Sequence, residues 1–76
     1  MAEKDQVDRV KAIGGRVKEL RLKTGLGYVD FAIQNSLDPK NYWRMEAGQA
    51  NFTIKRLLRI MEIHNLTMEE FFKGME

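Results

Sequence analysis

The stretch Gly27–Gly48 reads GYVDFAIQNSLDPKNYWRMEAG and carries the best-marked helix boundary in the chain. Its apolar residues are spaced for one helix over residues 28–35 and for a second helix that begins at Pro39. Residues 36–37 supply a tight turn between the two. The boundary at Asp38-Pro39 is clear, because an aspartate caps the free amides of a helix and proline suits its first position. The stretch therefore predicts a short helix, a turn and a second short helix.

The segment before this stretch has the apolar periodicity of an amphipathic helix over residues 6–24, with Asp5 as its N-cap. Two glycines, Gly14 and Gly15, fall inside that pattern and cost roughly 1–2 kcal/mol of helix propensity relative to alanine. Two explanations are open. Either another backbone packs closely against the helix there, or the helix begins near Gly14 and its first part is frayed.

Two more helices are predicted after the stretch. Gly48 is the natural end of the preceding helix, and Thr53 caps a fourth helix that has a wide apolar stripe and ends at His64 or Asn65. Residues 67–70 are a capping-box signature that opens a short fifth helix. The sequence has no strand-like alternation of useful length. We therefore predict an all-α fold of five helices around one core.

The length and composition restrict the class of protein. The chain has 76 residues, which is one domain with a total stability of roughly 4–11 kcal/mol. It has no cysteine, so a hydrophobic core must hold it together without disulfides, and an intracellular compartment is expected. It has neither a secretory signal nor an apolar run near the ~20 residues of a membrane helix. We expect a soluble, cytoplasmic protein.

The net charge of +2 is unevenly distributed along the chain. The segment from Arg9 to Arg59 contains eleven lysines or arginines against four acids, whereas residues 1–8 and 60–76 are acidic. Such a cationic centre favours a phosphate backbone, an acidic protein or an anionic membrane as a partner. A merely solvated basic surface is the alternative interpretation.

Residues for catalysis are scarce. A nucleophile with its base would require Ser36 and His64, the only serine and histidine, to converge from unrelated helices. His64 is expected at the surface or at a helix end rather than on a metal. The pair Gly25 and Gly27 lacks the third glycine of a dinucleotide fingerprint. We expect neither an enzyme nor a cofactor.

Several groups of residues stand in one order and at characteristic spacings along the chain: Leu20-Arg21, Gly25-Leu26, Phe31-Ala32, Leu37-Asp38, Tyr42-Trp43-Arg44-Met45-Glu46-Ala47-Gly48, Thr53-Ile54, Leu57-Leu58-Arg59-Ile60 and Leu66-Thr67-Met68-Glu69-Glu70-Phe71-Phe72. This ordered set resembles the lambda-repressor-like, XRE-type helix-turn-helix family of DNA-binding proteins. The match extends over about residues 9–73.

The resemblance implies a single five-helix domain with its helix-turn-helix at about residues 28–47. An N-terminal extension, 1–8, which could be the frayed start of the first helix, would precede the domain at 9–73, and a tail, 74–76, would follow it. The implied core residues of the motif are Phe31, Ala32, Leu37, Tyr42 and Met45.

The resemblance also implies which residues contact double-stranded DNA. The third helix would enter the major groove, where lysine and arginine donate to guanine. The candidates for reading bases are Tyr28, Pro39, Lys40, Trp43 and Arg44. The candidates for contacting phosphates are Gln49, Asn51, Lys55 and Arg56.

Two of the implied roles have an alternative. Trp43 either contacts DNA or shields the outer edge of the core. Arg21 and Glu46 would form an ion pair that fixes the third helix to the first, and otherwise they are two exposed charges of little energetic weight. The chain also departs from the family pattern: Tyr28 replaces the usual glutamine, Gly27 the usual serine or threonine cap, and Ser36 the glycine often found in the turn.

The function implied by the resemblance is that of a small transcriptional regulator, more readily a repressor than an activator. One module covers few base pairs, so we expect a homodimer that reads half-sites ~34 Å apart. Met68, Phe72 and Met75 could supply the dimer contact, although the phenylalanines of this end could simply be core. An antitoxin-like or adaptor protein that binds a toxin-like partner is the second hypothesis. A purely structural helical bundle is the third.

Overall fold

Five helices follow one another in the computed structural model, which describes residues 3–49, 52–73 and 75. They are α1 (Glu3–Leu22), α2 (Tyr28–Gln34), α3 (Pro39–Ala47), α4 (Ile54–Ile63) and α5 (Met68–Lys73). The described residues contain no strand. The Cα radius of gyration is 12.0 Å, near the ~11 Å expected for a compact chain of this length. The prediction of an all-α, five-helix domain is confirmed.

The helix boundaries predicted for α3 are confirmed in atomic detail. The Asp38 side chain accepts a hydrogen bond from the amide of Asn41 at 2.9 Å, and Pro39 is the first helical residue. Gly48 ends the helix with a left-handed φ of 67°. A Cβ on Gly48 would lie 2.8 Å from Cα of Lys11 on α1, so the end of α3 also packs against α1.

The caps of the last two helices also follow the sequence. Thr53 Oγ1 accepts from the Arg56 amide at 3.2 Å, and α4 ends at His64, one of the two residues predicted. The capping box before α5 is complete: the Glu70 amide donates to Thr67 Oγ1 at 3.1 Å and the Thr67 amide donates to Glu70 Oε1 at 3.0 Å. The bond from the Thr67 amide holds the pKa of the Glu70 carboxyl below its usual value, and the Thr67 side chain lowers it further.

The first two helices differ slightly from the prediction. Helix α1 begins at Glu3, so Asp5 lies inside its first turns and is not its N-cap. The helix ends at Leu22 instead of at residue 24, because the chain tightens there into a turn in which the Gly25 amide donates to the Leu22 carbonyl at 3.1 Å. Helix α2 ends at Gln34, one residue early.

The two glycines inside α1 have different environments. A Cβ built on Gly14 would lie 2.6 Å from the Glu46 carbonyl oxygen and closer still to that of Met45. A Cβ on Gly15 would have no neighbouring atom within 4 Å. Of the two explanations, close backbone packing is the right one, and it applies to Gly14 alone. The C-terminal end of α3 crosses α1 at this glycine.

The hydrophobic core is formed by residues of all five helices. Phe31 and Tyr42 connect α2 to α3, with ring centroids 5.1 Å apart. His64, expected at the surface or at a helix end, is the half-buried C-cap of α4 and stacks on Phe31 at 5.3 Å. Leu37 is only partly buried and packs against the core. The buried apolar residues are Val17, Leu20, Phe31, Ala32, Tyr42, Met45, Leu57, Ile60, Met61 and Phe71.

Candidate functional site

Helices α2 and α3 are joined by a turn whose amides are hydrogen-bonded back to α2. The Leu37 amide donates to the Ala32 carbonyl at 2.8 Å, and the Ser36 amide donates to the Ile33 carbonyl at 3.2 Å. Ser36 has a φ of 59°, in the left-handed region that glycine adopts without strain. Ala32 is fully buried between the helices, where its small side chain permits close approach.

The outer face of α3 is built by the same helical periodicity that buries its inner face. Tyr42 and Met45 are buried at 3% and 5% exposure and hold α3 to the core. The opposite face presents Lys40, Trp43 and Arg44, all of them exposed. We call these three residues the α3 outer face. Two neighbouring cationic donors and an indole give this surface both charge and apolar area.

Trp43 belongs to the surface of the molecule. Its exposed fraction is 41%, and its side chain is not part of the core cluster. Pro39 is half-buried at the start of α3, and Tyr28 is 38% exposed at the start of α2. The N-cap of α2, Gly27, offers no side chain to the free amides of the first turn.

Arg21 of α1 holds the C-terminal end of α3 in place through an ion pair with the carboxylate of Glu46. Arg21 Nε donates to Glu46 Oε2 at 2.8 Å and Nη2 donates to Oε1 at 2.9 Å, while Nη1 donates to the Leu26 carbonyl at 2.9 Å. The two side chains are only 9% and 5% exposed. The bond to Glu46 raises the pKa of Arg21, whereas burial opposes that rise. The pair is charged, bidentate and withdrawn from solvent.

The Tyr42 hydroxyl lies beside this pair. It is buried and makes no hydrogen bond of acceptable geometry within the described residues. Burial raises the pKa of Tyr42 strongly, and the neighbouring Glu46 carboxylate adds to the rise. Tyr42 therefore stays neutral, and its contribution is the apolar contact of its ring.

Arg16 is a structural residue, although its place among the eleven basic residues of the central segment predicts only a contribution to the positive charge. Its Nε donates to the Phe71 carbonyl at 2.9 Å and its Nη2 to the Glu70 carbonyl at 3.3 Å, at the carbonyl end of α5. Its Nη1 pairs with Glu19 at 2.9 Å. Arg16 is 9% exposed, and its guanidinium lies 5.7 Å from the Phe71 ring centroid.

The sequence did contain a signal for this role. Arg16 follows Ile13 by three residues and precedes Leu20 by four, which places it on the apolar side of α1. Arg16 and Arg21 are both buried, so these two of the eleven basic residues belong to the scaffold. Nine of the eleven basic residues of the central segment are therefore left at its surface.

The residues proposed to contact phosphates lie on and before α4. Gln49, Lys55 and Arg56 are exposed, and Asn51 lies outside the described residues. Arg56 and Asn41 of α3 line the same cavity, so the first turn of α4 lies beside the flank of α3. The structure thus brings a cation of α4 beside the flank of α3 that carries Asn41.

The part of the chain that the structure describes shows no group of acidic or histidine side chains that could hold a metal ion. A separate observation concerns membranes: among the described helices, none combines the length and the apolar character needed to cross a bilayer.

The chain matches no protein-family model. It likewise matches no curated protein and no solved structure.

Proposed function

We propose that this chain is a sequence-specific, double-stranded DNA-binding protein with a lambda-repressor-like fold, in which α2 and α3 form the helix-turn-helix. The observation that carries the proposal is the α3 outer face. Lys40, Trp43 and Arg44 project from a helix whose inner face is buried and whose end is fixed by the Arg21–Glu46 pair. A rigid helix with outward donors suits the major groove, which admits an α-helix.

The side chains of that surface can be assigned to different parts of the DNA according to their charge and polarity. Arg44 can donate two hydrogen bonds to guanine and Lys40 one or two, each worth ~1–3 kcal/mol of discrimination against a wrong base. Trp43 and Pro39 offer apolar contact to a thymine methyl, and Tyr28 offers a hydroxyl to a phosphate or a base edge. Gln49, Asn51, Lys55 and Arg56 would hold the backbone and thereby set the register.

We propose that the regulator acts as a homodimer and represses by occupying its site. Two copies reading half-sites ~34 Å apart would double the contacts of one short helix. Met68 and Phe72 of α5 are 59% and 38% exposed, which supports a role in that contact, whereas Met75 packs against the core. A cytoplasmic location belongs to the same proposal.

The test is selection of bound duplexes from a random pool, followed by affinity measurements at two salt concentrations. We expect one enriched motif and a slope of log affinity against log salt of about −0.9 per neutralised phosphate. Arg44→Gln should lower affinity for the enriched duplex by about tenfold or more and relax one base position. The matched control is Lys18→Gln, which removes an exposed charge from α1. The absence of any enriched motif and of salt-sensitive binding would overturn the proposal.

A second candidate function is supported by a different surface. Ile54 and Leu58 lie one turn apart on α4 and are 70% and 44% exposed, which is unusual for large aliphatic residues. Such residues suit contact with another protein, and an antitoxin-like or adaptor role would use them. This alternative predicts a toxin-sized reading frame beside the gene and a stable complex when both proteins are co-expressed. Ile54→Ser, which removes the apolar side chain without adding a charge, should weaken that complex and leave duplex binding intact.

A further inference from the structure

A cavity of about 240 Å³ lies between the α2–α3 turn, the flank of α3 and the first turns of α4. Pockets for drug-sized ligands measure roughly 300–1,000 Å³, so this one is suited to a smaller molecule. The α2–α3 turn, α3 and α4 contribute to it. The turn is held to α2 by the hydrogen bonds of the Leu37 and Ser36 amides, and Asp38 caps α3. The cavity is therefore part of the scaffold rather than of a loose loop.

The inner wall of the cavity is apolar. Leu37, Tyr42, Met45 and Ile60 line it, and the last three of these are at most 5% exposed. A ligand that places an apolar group there would cover wall atoms that belong to the core. Burial of apolar area contributes roughly 25 cal/mol per Å², which is enough to hold a small ring weakly.

The rim of the cavity is polar and carries more positive than negative charge. Arg56 and Arg59 of α4 line it, together with Asp38, the N-cap of α3. Asp38 is engaged with the Asn41 amide, and Arg59 pairs with Glu62 at 2.9 Å. Arg56 forms no ion pair with any residue that the structure describes. Arg56 is thus the rim cation available to a ligand.

We propose that this cavity binds a small organic monoanion, a carboxylate on an apolar body of about the size of one ring. The apolar group would lie against Leu37, Met45 and Ile60, and the carboxylate would accept hydrogen bonds from the Arg56 guanidinium at the rim. Guanidinium and carboxylate match in geometry, and such charge-assisted bonds are stronger than those between neutral groups.

Such a ligand would also influence DNA binding, an extension that rests on the proposed function. Arg56 is one of the proposed phosphate contacts, and it cannot serve a bound carboxylate and a DNA phosphate equally well. By thermodynamic linkage, the anion would lower the affinity for DNA by the same factor by which DNA lowers the affinity for the anion. The pocket would make the protein responsive to a small metabolite of this class.

The test is a titration of the full chain with benzoate, followed by two-dimensional NMR. Benzyl alcohol and benzylamine are the matched probes, since they keep the ring and remove or reverse the charge. We expect benzoate to give saturable shifts at the amides of Leu37 and Ile60, and the other two probes to bind about tenfold more weakly or not at all. A dependence on both ring and charge would support the proposed chemistry.

Two variants identify the residue that supplies the positive charge to the bound carboxylate. Arg56→Gln should weaken benzoate binding about tenfold, whereas Lys55→Gln, which removes the adjacent exposed charge outside the cavity, should leave it within about twofold. The proposal is overturned if benzoate gives no saturable shift, if benzyl alcohol binds as well as benzoate, or if the two variants weaken binding equally. The benzoate titration contains no DNA. A chain that selects no duplex can therefore still bind benzoate in the cavity, and a chain that binds no benzoate can still select a duplex.

Discussion

Arg21 on α1 and Glu46 on α3 form a bidentate ion pair in which two guanidinium nitrogens each donate to one carboxylate oxygen, at 2.8 and 2.9 Å. The third guanidinium nitrogen donates to the Leu26 carbonyl, so each of the three nitrogens has a hydrogen-bond acceptor within the fold. The pair joins the end of the first long helix to the end of α3. The orientation of the α3 outer face therefore depends on a contact made at the C-terminal end of the helix.

Replacing Arg21 with methionine leaves the Glu46 carboxylate charged and withdrawn from water. We expect Arg21→Met to lower the free energy of unfolding by ~3–5 kcal/mol, because an unpaired buried charge retains its full desolvation penalty. For a domain of this size that lowers the melting temperature by at least ~12 °C. The measurement is thermal or urea unfolding followed by circular dichroism.

The matched control is Arg59→Met. Arg59 also pairs with a glutamate at 2.9 Å, but the side chains of that pair are 46% and 74% exposed. Exposed pairs contribute under ~1 kcal/mol, so this variant should melt close to the parent. Equal destabilisation by the two substitutions would show that burial does not distinguish the pairs.

Gly14 and Gly15 give a second comparison, between adjacent positions of one helix. Gly14→Ala places a Cβ against the carbonyl oxygens of Met45 and Glu46, and we expect it to destabilise the fold by ~2–3 kcal/mol. Gly15→Ala meets no atom and should stabilise α1 by ~0.5–1 kcal/mol through helix propensity alone. Urea unfolding of both variants measures the difference, and a stabilising Gly14→Ala would rule out the close crossing of α1 and α3.

The sequence was sufficient for features that depend on local chemistry. Asp38, Thr53 and Thr67 cap helices as predicted, because a cap is formed between residues three apart. It was insufficient where the partner is distant along the chain. The bond from Arg16 to the Phe71 carbonyl joins residues 55 positions apart, and nothing in the local pattern around Arg16 identifies that carbonyl. The cavity beside Arg56 likewise depends on how α4 packs against α3, which a sequence pattern does not specify.

Ser36 leads to a prediction about backbone strain. A left-handed φ costs a residue with a side chain ~1–2 kcal/mol relative to glycine, while glycine has more conformational freedom to lose on folding. With φ at 59°, Ser36→Gly should therefore raise the free energy of unfolding by ~0.5–1 kcal/mol. Ser36→Ala removes the hydroxyl and keeps the strain, so it should give no gain.

Asn65 serves as an internal comparison for that substitution. It has nearly the same φ, 60°, but asparagine tolerates the left-handed region better than serine does. Asn65→Gly should consequently stabilise the chain less than Ser36→Gly. The reverse order in chemical unfolding would contradict the assignment of strain to the turn between α2 and α3.

His64 makes stability depend on pH near neutrality. Its ring stacks on Phe31 and its Nε2 is buried without a hydrogen-bond partner among the described residues. Burial lowers the pKa of His64 below its usual 6.5, and the nearby Arg16 charge lowers it further. The unfolded chain therefore binds a proton more readily than the folded chain, so the stabilisation is fully present above about pH 6.5 and is lost as the pH falls through the folded pKa.

The measurement is the free energy of unfolding in urea between about pH 7.5 and 5.5, a window above the usual titration range of carboxylates. His64→Gln supplies the reference, since glutamine does not titrate. Stability of the parent should fall across this window while that of the variant stays nearly constant. Parallel curves for the two proteins would show that His64 takes up its proton as easily in the folded state as in the unfolded one, in which case the stack on Phe31 does not exclude the charged ring.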